Sequence, residues 1–475
     1  MLLIRKFLFY VFVVIYLISW PLAVLYALGY VVHPAMPRGF VKTGLIYLST
    51  TPPGASVYLG NSRYTKRTPT MLSGLLPGEY WLKVILKNHD PWIRKVAVEP
   101  EKALALERIL LLPRNPRFEG LLAGRFEDLV PIPGTRFLLL TTGSSLEDFL
   151  VYDWKARVSR PLLPPTSDFQ TGRVLSYTTV KESPLVLFRI KLRGDEKTIA
   201  VDLSREKANG IDLSFLFPED LAWVEWDPRN SHRLFAFRHG EIHRVDLNTM
   251  TFAPRIAENV LGLGVHEKRL YLFTRDHLFQ RVDSDGKHPE IFFKNPPAIA
   301  SVFEESNPFF QIKILAEDLV LFLGDRGELL VNRFPYLFVE HGTRGFEFVP
   351  ARRRLLLWRS DAVGVLDLAN PRETDAVSEH PPKVRWVYTQ GRDIRQAFLV
   401  YKGSHALFRD GAAIHLVELE APGEPAVHRL LTVSPRTSVL YSEESGRMYY
   451  LDRETDELVS MEILPLEWLP LLSAE

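Results

Sequence analysis

The sequence FLLLTTGSSLEDFLVYD at residues 137–153 contains the pattern that decides the fold of this chain. A short apolar run at 137–140 is followed by polar turn residues and by a second apolar run that ends in Asp153. Two such runs separated by turn residues predict a pair of antiparallel β-strands. The same arrangement recurs through the chain, so the repeat is the first feature to interpret.

Eight apolar runs of this kind occur between residues 129 and 463. They lie at 137–140, 185–188, 234–237, 270–273, 319–322, 355–358, 398–401 and 438–441. Several units open with a proline shortly before the run: Pro133, Pro228, Pro350 and Pro435. Each run is followed by a second predicted strand that ends near a polar residue. These end residues are Asp153, Asp202, Asp246, Asp283, Asn332, Asp367, Glu418 and Asp452.

The end residues recur at an average spacing of about 43 residues, close to the length of a four-stranded propeller blade. Each such blade has two apolar faces, which are covered only when blades stack in a closed ring. Residues 129–463 are therefore predicted to form a β-propeller of about eight four-stranded blades. Seven blades are the alternative, with the stretch around 296–311 as an insertion. Two separate β-sandwiches are a weaker alternative, since they would not produce eight similar units.

The opening turns and inner strands of these units resemble WD40-like and TolB-like propeller repeats. The WD signature is absent, because Trp226-Asp227 stands at a different place in its repeat. The acidic residues at the strand ends suggest either a ring of carboxylates around a cation or hairpin turns that each Asp caps. We expect turn capping, because these residues recur with the repeat instead of clustering.

Residues 44–113 contain short β-branched and aromatic runs with no helical pattern. Turn residues at 51–54 separate the first two runs, and Leu76-Pro77-Gly78 precedes an alternating run at 79–87. Several short strands over about 70 residues predict a small β-sandwich.

The same segment resembles a PEGA domain. The Pro-Glu-Gly-Ala turn of that family corresponds to Pro52-Pro53-Gly54-Ala55, its T-P to Thr68-Pro69, and its L-x-P-G-x-Y to residues 75–80. The sequence departs from the family at Pro53, which replaces Glu, and at Asn88-His89, where Gly-Tyr is usual. The resemblance implies display of a carbohydrate- or protein-binding module at the cell envelope, without catalysis.

The N-terminal region contains 26 positions, 7–32, without a charged residue, His, Asn or Gln. A run of this length predicts an uncleaved transmembrane signal-anchor helix with Pro21 inside it. The remaining boundaries are a tail at 1–6, a linker at 33–43, a second linker at 114–128 and a C-terminal tail at 464–475. The expected localisation is single-pass in the cytoplasmic membrane, with an extracytoplasmic body.

The composition excludes several classes of function. With 58 Lys+Arg against 57 Asp+Glu, the chain lacks the broad basic charge of a nucleic-acid-binding protein. With no cysteine, it has no disulfide, thiolate metal site or cysteine nucleophile.

The remaining motifs indicate no chemistry. His239 and His243 have the i, i+4 spacing of metal ligands, but they flank a predicted hairpin and lack a third ligand. Residues 283–286, DSDG, begin like a calcium loop but lack the downstream Glu. Arg352, Arg353 and Arg354 are expected in a solvated turn. No catalytic, cofactor-binding or metal residue is predicted, no cofactor is expected, and the ligand-binding residues are undetermined.

The sequence therefore predicts a membrane-anchored binding or scaffold protein that is not an enzyme. Its propeller would recognise an envelope protein or a polysaccharide. An envelope hydrolase or lyase with a site in the propeller channel is the alternative. A cytoplasmic assembly scaffold is a third interpretation.

Overall fold

The structure of the 475-residue chain is a computed structural model. It describes residues 2–27, 30–32, 40–179, 183–206, 208–215, 223–227, 230, 232–253, 255–267, 269–276, 278–294, 310–316, 319–324, 326–331, 337–368, 383–420, 423, 425–435 and 437–463. The chain divides into two compact units. Unit 1 consists of Met1–Arg117, Glu420–Ala426 and Ile463–Glu475, and unit 2 of Phe118–Leu419 and Val427–Glu462.

The N-terminal element corrects the prediction of a membrane-spanning helix. Helix α1 covers Leu2–Ala27, and strand β1, Tyr30–Val32, occupies the end of the predicted span. Among the described residues, no helix has both the length and the apolarity to cross a membrane. The predicted signal-anchor helix, and the single-pass localisation that depended on it, are therefore wrong.

Unit 1 contains the predicted β-sandwich. Its strands are β2 Phe40–Lys42, β3 Gly44–Thr51, β4 Ser56–Leu59, β5 Ser62–Arg67, β6 Thr70–Leu75, β7 Gly78–Ile85, β8 Trp92–Val98 and β9 Ala103–Leu110. Strand β2 pairs with β1, and the others form a three-stranded sheet, β6-β3-β9, and a four-stranded sheet, β5-β4-β7-β8. Alternate residues of both sheets meet in one apolar core, for example Ile46 and Leu48 with Val57 and Leu82.

Two turns of unit 1 are joined by buried threonines. The hydroxyl oxygens of Thr50 and Thr68 lie 2.6 Å apart. The Thr68 hydroxyl accepts a hydrogen bond from the Ala55 N–H at 3.0 Å, and the Thr68 carbonyl accepts one from the Gly54 N–H at 2.7 Å. The Pro-Pro-Gly-Ala and Thr-Pro motifs are therefore parts of one hydrogen-bonded corner.

Unit 2 contains eight four-stranded antiparallel blades within its described residues, in accord with a propeller architecture. Blade 1 comprises β11 Asp128–Pro131, β12 Phe137–Thr141, β13 Phe149–Asp153 and β14 Val158–Pro161. Blade 2 comprises β15 Arg173–Thr179, β16 Leu185–Leu192, β17 Asp195–Asp202 and β18 Ile211–Asp212. Blade 3 comprises β19 Trp223–Trp226, β20 Arg233–Arg238, β21 Glu241–Asp246 and β22 Thr251–Phe252. Blade 4 comprises β23 Val260–His266, β24 Arg269–Thr274, β25 Leu278–Asp283 and β26 Glu290–Lys294.

The second half of unit 2 repeats this plan. Blade 5 comprises β27 Phe310–Ala316, β28 Leu319–Gly324, β29 Leu329–Val331 and β30 Leu337–Glu340. Blade 6 comprises β31 Gly345–Val349, β32 Arg354–Trp358, β33 Val363–Asp367 and β34 Arg385–Tyr388. Blade 7 comprises β35 Ile394–Val400, β36 His405–Asp410, β37 Ala413–Glu418 and β38 Val427–Thr432. Short 3-10 helices occur at Leu146–Asp148 and Pro350–Arg352.

Blade 8 closes the ring with strands from both ends of the unit. Its strands β39 Leu440–Ser442, β40 Arg447–Leu451 and β41 Leu458–Glu462 are followed in the sheet by β10, Arg117–Leu122. Strand β10 lies in the segment 114–128 that sequence analysis treated as a linker. Pairing of the first strand of the unit with its last holds the ring closed and removes two open sheet edges.

Apolar side chains join consecutive blades. Phe149 of blade 1 meets Phe188 of blade 2 edge to face, with ring centroids 5.7 Å apart. At the closure, Leu138 and Leu140 of blade 1 belong to the same buried cluster as Tyr449 and Leu451 of blade 8. Each blade therefore buries its faces on its neighbours, as the repeat predicted.

The predicted apolar runs occupy equivalent strands in most blades. The first six runs lie in the second strand of their blades, whereas the runs at 398–401 and 438–441 fall on or next to the first strands of blades 7 and 8. Pro228, Asn332, the stretch 295–309 and the tail 464–475 lie outside the described residues.

Candidate functional site

The first strands of the blades form the inner wall of the propeller. Strands β23 and β27 pair in parallel, with Gly262 opposite Phe310. The Leu399 N–H of β35 donates a hydrogen bond to the Glu347 carboxylate of β31. First strands are therefore direct neighbours of one another, while fourth strands face outward, as the exposed Val158 of β14 shows. We call the eight strands β11, β15, β19, β23, β27, β31, β35 and β39 the inner ring.

An ion pair bridges two non-consecutive strands of the inner ring. Lys313 Nζ on β27 lies 3.5 Å from Glu225 Oε1 on β19. Strand β23 lies between them, and its Gly262 and Gly264 let β27 approach, since a side chain at Gly262 would meet the Phe310 carbonyl oxygen at 2.7 Å. Burial raises the pKa of the Glu225 carboxyl, and Lys313 opposes this effect. This part of the ring is therefore a partly buried charge pair held by close strand packing.

A second polar group lies on β11 and β15. Burial raises the pKa of the Asp128 carboxyl, which accepts a hydrogen bond from the Leu129 N–H at 2.8 Å. Burial and the Asp128 charge both raise the pKa of the Tyr177 phenol. Tyr177 and Leu175 are nonetheless exposed, at 39% and 45%. An inner strand with exposed apolar and aromatic side chains next to a carboxyl group gives a ligand both contact area and charge.

Tyr441 on β39 contributes the third polar group of the ring. The residue is 9% exposed, and its hydroxyl has no hydrogen-bond partner among the described residues. Burial raises the pKa of this phenol, as do the nearby carboxylates of Glu443 and Glu347. A buried hydroxyl without a partner is costly in a folded protein, so it is a natural anchor for an incoming polar group.

Several features that the sequence singled out are turn structures. His239 lies in a left-handed turn before Gly240, while His243 Nε2 lies 3.2 Å from Glu241 and its ring stacks on Phe252. Among the described residues, no cluster of His and acidic side chains could hold a metal ion.

The DSDG segment is also a hairpin turn. The Gly286 N–H donates to the Asp283 carbonyl at 2.8 Å, and the Asp283 carboxylate contacts His288 Nδ1 at 2.8 Å. In the triple-arginine segment, Arg353 has a left-handed backbone, and Arg354 Nε donates to Asp367 at 2.7 Å.

Asp153, Asp202, Asp246 and Asp452 cap their own turns, as expected, whereas the carboxylates of Asp283 and Asp367 contact the side chains of His288 and Arg354. Asp153 accepts hydrogen bonds from the N–H groups of Lys155 and Ala156, both at 3.0 Å. Asp452 does the same for the N–H groups of Glu454 and Thr455, at 2.9 and 3.1 Å. The recurrence of Asp in the repeat is therefore explained by local hydrogen bonding.

Comparison with known protein families identifies a segment of unit 1. Residues 43–110 match the PEGA domain family. This segment coincides with the sandwich of unit 1. No curated protein matches the sequence of the chain.

Solved structures similar to the chain include β-propellers. The β-propeller domain of Cps50 (Swd1) from Myceliophteria thermophila has 12% sequence identity to this chain. The match covers 74% of this chain and 99% of that domain, with a TM-score of 0.40. Kluyveromyces lactis Hsv2 has 8% identity over 64% of this chain and 98% of its own, with a TM-score of 0.41. The N-terminal domain of Nup159 has 13% sequence identity to this chain. The match covers 74% of this chain and 98% of the Nup159 domain, with a TM-score of 0.34.

Sequence analysis missed the groups of the inner ring. Asp128, Tyr177, Glu225, Lys313 and Tyr441 lie on five different strands and share no local motif. Their position on the first strand of each unit was the one available signal. That signal can be used only when the blade boundaries are known.

Proposed function

We propose that this chain is a binding protein whose inner ring takes up a segment of a protein partner that presents a basic side chain. A PEGA domain combined with a propeller supports a binding or scaffold role. The observation that carries the proposal is that Asp128 lies beside Tyr177, which is exposed together with Leu175 on an inner-ring strand. The same ring carries the buried Tyr441 hydroxyl, which has no hydrogen-bond partner among the described residues. We further propose that the protein binds without catalysing a reaction.

Desolvation of the inner-ring carboxyl groups favours a partner with a positive charge. Burial raises the pKa values of Asp128 and Glu225, and a nearby cation stabilises an ionised carboxylate. Lys313 opposes the effect at Glu225, and Arg409 with two backbone N–H groups opposes it at Asp128, whose pKa is nonetheless raised. Asp128 in addition lies next to the exposed Tyr177 and Leu175. A Lys or Arg from the partner would pair with Asp128 while neighbouring apolar groups covered Tyr177 and Leu175.

Peptide selection tests the proposal. Peptides selected from a random display library on the full chain would be titrated by fluorescence anisotropy against wild type, Tyr177→Ala and Asp128→Asn. We expect each variant to bind about tenfold more weakly, because truncation of a central aromatic or charged group removes most of the local binding energy. Affinity should also rise with pH as Asp128 loses its proton, since its raised pKa keeps it protonated to a higher pH.

Val158→Ala is the matched control, because Val158 is exposed on the outermost strand of blade 1. Equal affinity of the selected peptides for wild type and both inner-ring variants would contradict the proposal.

A hydrolase is the second candidate, favoured by the raised pKa values of Asp128 and Glu225, which suit a general acid. Product formation from glycan or peptide substrates that is lost in Asp128→Asn or Glu225→Gln would support this candidate over simple binding.

A further inference from the structure

The outward face of the four-stranded sheet in unit 1 combines aromatic and basic side chains. Strand register places Arg63, Tyr58, Lys83 and Ile93 in one row across β5, β4, β7 and β8. Trp81 lies opposite Lys95 in the adjacent row of β7 and β8. We call these six residues the basic-aromatic face.

Much of this face is open to solvent. Trp81 is 61% exposed and Ile93 is 40% exposed. The Arg63 guanidinium lies 5.9 Å from the centre of the Tyr58 ring, so a cation also covers part of the aromatic surface. A contiguous apolar surface bordered by charged groups marks an interaction site more often than scattered exposed residues do.

The positive charge of the face is largely uncompensated. Among the described residues, Arg63 and Lys83 have no carboxylate partner, whereas Lys95 Nζ lies 2.5 Å from Glu79. Arg67 follows on the edge strand β5 and is exposed and unpaired within the same described part of the chain. The face therefore presents a local excess of cations, although the chain as a whole is almost neutral.

Protection of a sheet edge does not explain this arrangement. Charged side chains on edge strands prevent pairing with other chains, which would account for Arg63 and Arg67 on β5. Lys83 and Trp81 instead lie on β7, which is hydrogen-bonded on both sides. An exposed Trp in the interior of a sheet adds risk of association and offers no protection.

The opposite sheet shows that such a face is not a general property of the sandwich. Its outward row contains Met71, Tyr47 and Ala105, without a basic residue. Met71 is 57% exposed, so the two faces have similar apolar exposure but different charge.

We propose that the basic-aromatic face is a docking surface for an acidic protein segment that carries aromatic or aliphatic side chains between its carboxylates. Carboxylates of the segment pair with Arg63, Lys83 and Arg67, and its apolar side chains cover Trp81 and Ile93. The charge complementarity fixes the class of partner, and the apolar groups supply the contact area. This site is on unit 1, so it is independent of the proposed inner-ring site.

The experiment uses the full chain and a fluorescein-labelled peptide of alternating Glu and Phe. Lys-Phe and Ser-Phe peptides of the same length serve as charge controls. We expect binding of the acidic peptide alone, with affinity that falls steeply as salt rises from about 50 to about 500 mM, because exposed charges are screened.

Variants assign the binding to the face. Lys83→Glu and Trp81→Ala should each weaken binding about tenfold. Arg453→Glu, the same type of charge reversal at an exposed turn of unit 2, and Met71→Ala, on the opposite sheet, should leave it unchanged. Near-UV circular dichroism of each variant checks that the fold is retained.

Three outcomes would overturn the proposal. They are no binding of the acidic peptide, binding that Lys83→Glu and Trp81→Ala leave intact, and binding of phosphatidylserine vesicles in place of the peptide. Tyr177→Ala should not alter this binding, so failure at the inner ring and failure at this face are distinguishable.

Discussion

Two seams between blades of the propeller use opposite chemistry. The aromatic seam, between blades 4 and 5, consists of Phe273, Phe279, Phe310 and Phe322, all almost fully buried. The Phe322 ring meets Phe279 edge to face at 5.3 Å and Phe273 at 6.1 Å. The polar seam, between blades 7 and 8, is built around Gln396 and Arg409.

The polar seam depends on directed hydrogen bonds. The Gln396 amide accepts from the Val439 N–H at 2.9 Å and donates to the Val439 carbonyl at 3.4 Å. Arg409, 2% exposed, donates to the carbonyls of Gly411 at 2.7 Å and Pro435 at 2.5 Å. Burial lowers the pKa of Arg409 to about 10, so it stays charged at neutral pH.

The difference reflects how each seam forms. Blades 4 and 5 share a continuous eight-stranded sheet, so the backbone pairing of β23 with β27 sets their register and apolar contact completes the seam. Blades 7 and 8 belong to separate four-stranded sheets, so their relative position depends on side-chain contacts. Hydrogen bonds of fixed geometry provide that positional specificity, which apolar contact provides less well.

The largest effect on stability is expected at the aromatic seam. Phe322→Ala should lower the free energy of unfolding by about 3–5 kcal/mol, because a buried aromatic ring is replaced by a cavity. Denaturant unfolding measures the change, with Phe322→Leu as a milder control. A loss below about 1 kcal/mol would show that the seam collapses around the cavity.

At the polar seam, Arg409→Met should lower the free energy of unfolding by about 2 kcal/mol. The apolar stem is retained, but the carbonyls of Gly411 and Pro435 lose their donor while buried. Arg409→Lys keeps the charge and should lose less. An Arg409→Met variant as stable as wild type would mean that the seam is held by packing alone.

A pH dependence is expected next to the polar seam at His405, which is 4% exposed. Burial lowers its pKa from 6.5 to about 3, so the folded state keeps this imidazole neutral. Below pH 6.5 the His405 imidazole binds a proton in the unfolded chain but stays neutral in the folded chain. As the pH is lowered from about 6 to about 3, the free energy of unfolding should therefore fall by about 1.4 kcal/mol per pH unit because of this group.

Thermal unfolding of wild type and His405→Asn from pH 7.5 to pH 4 measures this effect. The variant should show the shallower loss of stability on acidification. Parallel curves for the two proteins would exclude His405 as the source.

The smallest effect is expected at a turn that belongs to neither seam. Asp452→Ala should lower the free energy of unfolding by about 1 kcal/mol, since two backbone N–H groups lose their acceptor at an exposed site. Asp452→Asn keeps an acceptor oxygen and should restore most of the loss in the same unfolding measurement. An equal loss in both variants would indicate that the charge of Asp452 matters more than its hydrogen bonds.

Much of the β architecture was predictable from the sequence. The apolar runs at 137–140 and 185–188 lie in second strands, and Asp153 and Asp452 cap turns at strand ends, because both features depend on local periodicity and turn chemistry. The PEGA motifs were also local, and the family match covers the same segment. The N-terminal helix was predicted, but its extension to residue 32 was wrong, since the chain forms β1 there.

The candidate site was much less predictable. Glu225 and Lys313 are separated by 88 positions, and nothing near either residue indicates the other. Tyr441 resembles any other strand aromatic until the structure shows that its buried hydroxyl lacks a partner within the described residues. The basic-aromatic face likewise depends on strand register, which places Arg63 beside Tyr58 and Lys83.

The sequence by itself determined the repeat, the turn positions and the two kinds of β module, because these follow from interactions between residues close in the chain. Tertiary structure alone decided that β10 completes blade 8, that a buried Arg409 joins blades 7 and 8, and which side chains face the inner ring. The physical reason is that ring closure joins strands hundreds of residues apart, and that strand register and seam contacts depend on burial and hydrogen bonds between segments that meet only in the folded chain.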